Sequence, residues 1–154
     1  MDLSRKLTPH FTLGEMVRTS HRSIDNTPTP EIVDRLTVLC RNFLEPIRDA
    51  FGPLWVTSGF RCEALNRAIG GSSTSSHVLG CAADIVPVKG HLTVDIVGWM
   101  AYGSDLRYDQ VIDEYSSTAN WIHVGMARPG REPRLQALTM RNGKYSPFMF
   151  GPEG

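Results

Sequence analysis

Ser75-Ser76-His77-Val78-Leu79-Gly80-Cys81-Ala82-Ala83-Asp84 joins a polar run to an apolar segment and carries a histidine and an aspartate seven positions apart. Cys81 to Val86 reads as a buried strand closed by Pro87, so His77 sits on the approach and Asp84 within the strand. Gly80 and the alanines between them keep bulk away from the backbone. A second histidine lies far downstream, in Asn120-Trp121-Ile122-His123-Val124. Two imidazoles and one carboxylate make the ligand set of a catalytic zinc that keeps its fourth position for water. If the three side chains meet, the chain is a metal-dependent hydrolase. Spacing alone does not choose between that reading and ordinary structural side chains.

The flanking segments give these residues a frame. Asp109 to Tyr115 and Trp121 to Met126 pattern as strands joined by the polar loop Ser116 to Asn120, a hairpin that puts His123 on a neighbouring strand. Leu54 to Thr57 is a further short strand. Thr12-Leu13-Gly14-Glu15 is a capping box that opens a short helix. Thr29-Pro30 is an N-cap followed by proline at the first helical position. From there Ile32, Val33, Leu36, Leu39, Cys40, Phe43, Leu44 and Ile47 recur at helical spacing to about Ala50, with Pro46 placed to bend the helix late. Arg61 to Ile69 reads as a short helix stopped by Gly70-Gly71, and Thr93 to Tyr102 as another amphipathic one. Ser23 to Thr29 and Ser72 to Ser76 are polar loops. After Pro129 the tail is basic and poorly patterned; Leu135 to Met140 is expected as an edge strand and the last residues as mobile. The sum is an α+β domain, with helices packed on a small, mainly antiparallel sheet.

A chain of 154 residues is expected to form one domain, 1–154. Sixteen basic and sixteen acidic residues leave no net charge, which gives no reason to expect nucleic acid. No apolar run approaches the ~20 residues that span a bilayer. Met1 to His10 lacks the apolar core of a signal peptide, so the chain is expected to be cytoplasmic at synthesis. Cys40, Cys62 and Cys81 are odd in number and have no C-x-x-C spacing, which disfavours a disulfide framework and a zinc knuckle. They read as reduced, mostly buried thiols.

Ser75-x-His77-x-x-Gly80-x-Ala82-x-Asp84 followed by Trp121-x-His123 resembles the M15-type zinc D,D-peptidases, which include D-Ala-D-Ala carboxypeptidases and phage endolysins and share a core with the hedgehog signalling domain. Thr57-Ser58-Gly59-Phe60-Arg61 with Asn66, and Phe11-Thr12-Leu13-Gly14-Glu15-Met16, extend the likeness over a core of about residues 10–127, leaving 128–154 as an extension. The resemblance implies Zn2+ held by His77, Asp84 and His123, with Arg61 holding a substrate carboxylate or the oxyanion. Without it, Arg61 is a charge at a helix start. Some relatives carry a glutamate general base three residues before the last zinc histidine, and others a histidine five before it. Those positions are Asn120 and Thr118 here. In the phage-type branch a Gln-x-x-x-Glu strand precedes the Trp-x-His strand, and Gln110 to Glu114 matches it. If the hairpin pairs Glu114 with Trp121, then Glu114, Trp121 and His123 share one face. Glu114 is then the expected base, with Asp113 the alternative carboxylate. The bland reading makes both of them solvated charges.

Ser75 and Trp121 are expected to orient a ligand or touch the substrate; no G-x-S-x-G elbow surrounds Ser75, so it is not a nucleophile. His10, His21 and His91 lack motif partners and read as surface or packing residues. The function that the resemblance implies is hydrolysis of a peptide bond in the peptidoglycan stem or cross-link. The expected setting is a phage or prophage endolysin that reaches the wall through a holin. A non-catalytic wall-binding or virion module on the same fold is the alternative.

Overall fold

The computed structural model describes residues 1–149. It opens with a small antiparallel pair, β1 (Lys6–Thr8) and β2 (Phe11–Thr12), and the short helix α1 (Leu13–Val17). The capping box is present: the Thr12 hydroxyl accepts the Glu15 N–H, and the Glu15 carboxylate accepts the Thr12 N–H. α2 (Pro30–Leu39) starts on the Thr29 cap with proline in its first turn. A π-turn, Cys40–Leu44, joins it to α3 (Glu45–Phe51). The expected continuous helix is therefore two α segments separated by a wide turn. Pro46 has no N–H to return to the preceding turn, and the wide turn, in which the Glu45 N–H reaches Cys40 O, takes up that mismatch.

β3 (Leu54–Ser58) follows, then α4 (Glu63–Ala68), capped by the Cys62 thiol, so that Arg61 stands just before the helix and not in it. A 3₁₀ turn, Ser76–Leu79, forms within the stretch between the polar loop and β4 (Ala82–Pro87). α5 (Thr93–Gly98) runs into a second π-turn, Trp99–Gly103. β5 (Gln110–Tyr115) and β6 (Asn120–Gly125) form the expected hairpin, and β7 (Gln136–Arg141) and β8 (Lys144–Pro147) complete the chain's strands among the described residues.

Six strands make one sheet in the order β3-β4-β6-β5-β7-β8. Successive residues of a strand point to opposite faces. Val56, Ala83, Ile85, Val111, Ile122 and Val124 fall on one face and join the core with Leu36, Leu39, Leu44, Ile47, Ile96 and Met100 from the helical segments. Asp84, His123 and Ile112 are register partners on the other face. The fold is thus a small α+β domain with a mixed sheet, antiparallel except for one pair.

That exception corrects the expectation for the tail. β7 is not an edge strand; it lies between β5 and β8 and runs parallel to β5. β6 ends beside the start of β5, with Gly125 opposite Gln110, so the chain needs only to cross over that end. There Asp109 takes Arg134 in a two-pronged pair, with Nη2–Oδ2 at 2.8 Å and Nε–Oδ1 at 3.1 Å. The Gln136 N–H then bonds Asp109 O at 3.0 Å. Tied at that point, the strand can only run alongside β5 in the same direction. Asn142 and Gly143, at φ 52° and 74°, turn the chain tightly into β8. The expected mobility of the chain's end concerns residues 150–154, which lie outside the described residues. No helix among the described residues is long and apolar enough to cross a membrane. Cys40, Cys62 and Cys81 are free, as read from their spacing.

Ile122 is fully buried and sits opposite Ile85 on one neighbouring strand and Asp113 on the other. Ile122→Ala should cost about 2–5 kcal/mol. Urea unfolding checks this, as a lower midpoint with an unchanged slope.

Candidate metal centre

β4 and β6 pair so that Asp84 stands directly opposite His123, both on the sheet face away from the core. His77 arrives from the 3₁₀ turn. Ser75 caps that turn by accepting the His77 N–H at 3.2 Å, and Gly80 ends it in the left-handed region at φ 73°. His77 Nδ1 lies 2.7 Å from the Gly59 carbonyl oxygen. A carbonyl only accepts, so Nδ1 carries the proton and Nε2 presents a free lone pair. Nε2 is 3.3 Å from Asp84 Oδ1, and His123 Nδ1 is 3.1 Å from the same oxygen.

One ligand atom from each of the three residues lies within 4.8 Å of the others. Donors bound about 2.0–2.2 Å from one tetrahedral zinc fall roughly 3–4 Å apart, so the set fits the ion. The donor chemistry fits as well. Burial opposes the Asp84 anion; the positive charge of a protonated His77 and hydrogen bonds from both imidazoles outweigh it and hold the carboxyl well below the usual carboxylate range, and a cation seated on the Nε2 lone pair takes the place of that proton. A ligating carboxylate must be ionised, and the downward shift favours that form.

Gly59 is what aims the carbonyl at His77. A Cβ there would fall 2.3 Å from Met16 O, the same oxygen that accepts the Phe60 N–H at 2.7 Å. Only glycine lets the end of β3 pass this close to the end of α1.

The triad opens into a cleft of about 470 Å³ that is also lined by Arg61, Ser75, Glu114 and Trp121. Every site residue expected from the sequence therefore faces one space. The Arg61 N–H donates to His77 O at 3.2 Å, and its guanidinium donates to Ser75 Oγ at 3.4 Å. Its Nε is buried with no partner among the described residues. Burial pulls the Arg61 pKa down, while Asp84 and Glu114 support the cation. An idle guanidinium N–H beside the triad is a donor in want of an acceptor. Ser75 thus holds both the His77 turn and the arginine.

β5 and β6 place Glu114 opposite Trp121. Burial first, then the negative charge of Asp84, push the Glu114 carboxyl above its usual value, against His123, Trp121 and Arg61, which favour the anion. Asp113 faces the other way. It is buried on the core side, where it accepts from Thr93 Oγ1 at 2.7 Å, Tyr115 OH at 3.0 Å and Asn120 Nδ2 at 3.0 Å. That geometry removes it as an alternative to Glu114. Asn120 also donates to Glu114 O at 2.8 Å and so pins the strand end that carries Glu114. His10 bonds Glu45 Oε1 at 2.7 Å, and His91 packs edge-on against Phe51, so neither approaches the triad.

Sequence reasoning missed Tyr145, Arg128 and Arg134, which also line the cleft. Tyr145 reaches it only because β8 pairs with β7, and nothing local in Lys144-Tyr145-Ser146 signals a site. Gly59 could have been found, since it lies in the block that contains Arg61.

Residues 9–125 match the protein-family model described as Peptidase M15. No curated protein matches the chain.

Gly59→Ala should move the carbonyl that orients His77 and weaken zinc binding about 10–100-fold with the fold retained. Competition against a chromogenic chelator measures the affinity, and circular dichroism checks the fold.

Proposed function

The chain belongs to the M15 peptidase family, and on that footing we propose that its substrate is bacterial peptidoglycan, cut at a peptide bond of the stem or cross-link. The reading is of a D,D-carboxypeptidase or endopeptidase. The observation that carries it is a single open cleft in which three metal-ligating groups meet a donor-rich arginine and a carboxylate of raised pKa. A closed structural site takes four protein ligands, whereas the cluster among the described residues has three. That supports catalysis over a purely structural or binding role.

When bound, zinc supplies Lewis acidity that makes water a nucleophile near neutral pH and polarises the scissile carbonyl. His77, Asp84 and His123 hold the ion. Arg61, with its unused N–H, binds the substrate carboxylate or the oxygen that gains charge, a task suited to a planar guanidinium. Glu114 accepts the proton of the attacking water and returns it to the leaving nitrogen, for which an upward-shifted carboxyl is better matched than an ordinary one. Trp121 and Ser75 hold these groups in place. Gln110 to Glu114 also supports a phage-type setting. There the enzyme, made in the cytoplasm, gains the wall through a holin.

Incubation with purified peptidoglycan should release fragments, cease with chelator and resume with added zinc, and fragment masses identify the bond. Glu114→Gln should retain zinc yet lose about 10²–10⁴-fold in kcat. Wild-type activity in that variant would remove Glu114 from the role.

A further inference from the structure

A second hollow, of about 920 Å³, adjoins the metal cleft and shares Thr74, Arg128 and Arg134 with it. Arg35 and Arg131 also line it, against the carboxylates of Asp109 and Glu132. The whole chain is charge-neutral, so four arginines around one hollow are a local concentration and not a general bias. Asp109 is already committed to Arg134 through both oxygens. That pair is neutral and fixed, and it makes a wall. The other three guanidiniums are not matched in the same way. Arg128 donates to a neutral acceptor, the Thr74 carbonyl. Arg35 donates to the Leu79 carbonyl at 3.1 Å, and its one ion pair among the described residues is with the exposed Glu31 at 4.0 Å. The Arg131 side chain is exposed and has no hydrogen bond or ion pair among the described residues. The one remaining carboxylate, Glu132, is exposed too.

Arg128, Arg131 and Arg134 all lie beyond the span that matches the family model. We propose that this hollow is an anionic subsite, in which Arg128 and Arg131, with Arg35 behind them, hold a substrate carboxylate remote from the bond that is cut. The assignment rests on the peptidoglycan reading. Stem peptides carry side carboxylates in addition to the terminal one, and Arg61 is engaged nearer the metal. Guanidinium forks match carboxylate geometry with paired, charge-assisted hydrogen bonds. The subsite selects which peptides are cut, because a substrate whose side carboxylate is amidated leaves these donors unanswered.

The test uses two synthetic stem peptides that differ only in whether the side carboxylate is free or amidated. Each is titrated into the zinc-free protein and offered as substrate to the zinc-loaded one. The free acid should bind about tenfold more tightly, with the preference appearing in KM and not in kcat. Arg131→Ala should bring the ratio toward one, and Arg131→Glu should take it below one. Neither variant breaks a bond seen in the fold. Equal binding of acid and amide by the wild type overturns the proposal, whether or not either peptide is cut. Binding of inorganic phosphate without any preference for acid over amide overturns it too, since the hollow would then serve a phosphate. Preference in binding with neither peptide cut supports the subsite and counts against the peptidase reading alone.

Discussion

The register between β4 and β6 sets everything at the site. Asp84 and His123 meet because they are directly opposed across an antiparallel ladder. That opposition is fixed from the other face, where Ala83 meets Val124 and Ile85 meets Ile122 inside the core. A slip of one residue would carry His123 into the apolar layer and Ile122 into the cleft. Apolar burial therefore enforces a polar geometry that the three ligands, left to themselves, would resist: an anion and two imidazoles drawn partly out of water. His77 is added from outside the ladder, and its direction depends on two backbone contacts, the Gly59 carbonyl and the capped turn after Ser75.

The remaining walls of the cleft come from more distant parts of the chain. Glu114 is held by the β5–β6 hairpin and by Asn120, which also ties the buried Asp113 to the strand end. Tyr145, Arg128 and Arg134 come from the segment after β6, and the Asp109–Arg134 pair is the clasp that brings this segment back against the sheet. The family match ends at residue 125, so the segment that closes this side of the cleft belongs to the part of the chain that the family model does not describe.

The ligand set came from the family resemblance, and strand periodicity supplied the face on which part of it lies. The spacings in Trp121-x-His123 and Gln110-x-x-x-Glu114 assign these residues to one face, and the β5–β6 register agrees with that assignment. Helix starts were readable from Thr12-x-x-Glu15 and Thr29-Pro30, since caps are local chemistry. What the sequence concealed was non-local or unpatterned. The π-turn at Cys40–Leu44 keeps a helical apolar spacing and so resembles plain helix. β7 is expected as a strand from Leu135 to Met140, but its place inside the sheet and its parallel pairing depend on Asp109 and Arg134, 25 residues apart. β8 is exposed throughout, so only the Asn142-Gly143 turn signals it. Asn120, which departs from the base of other relatives, proves to be a structural bridge under Glu114.

X-ray absorption at the zinc edge of the metal-loaded protein tests the central claim most directly. The account predicts one zinc per chain, a shell of two imidazole nitrogens with oxygen donors, and no sulfur. A chain that takes up no zinc, or a shell containing cysteine sulfur, would contradict it.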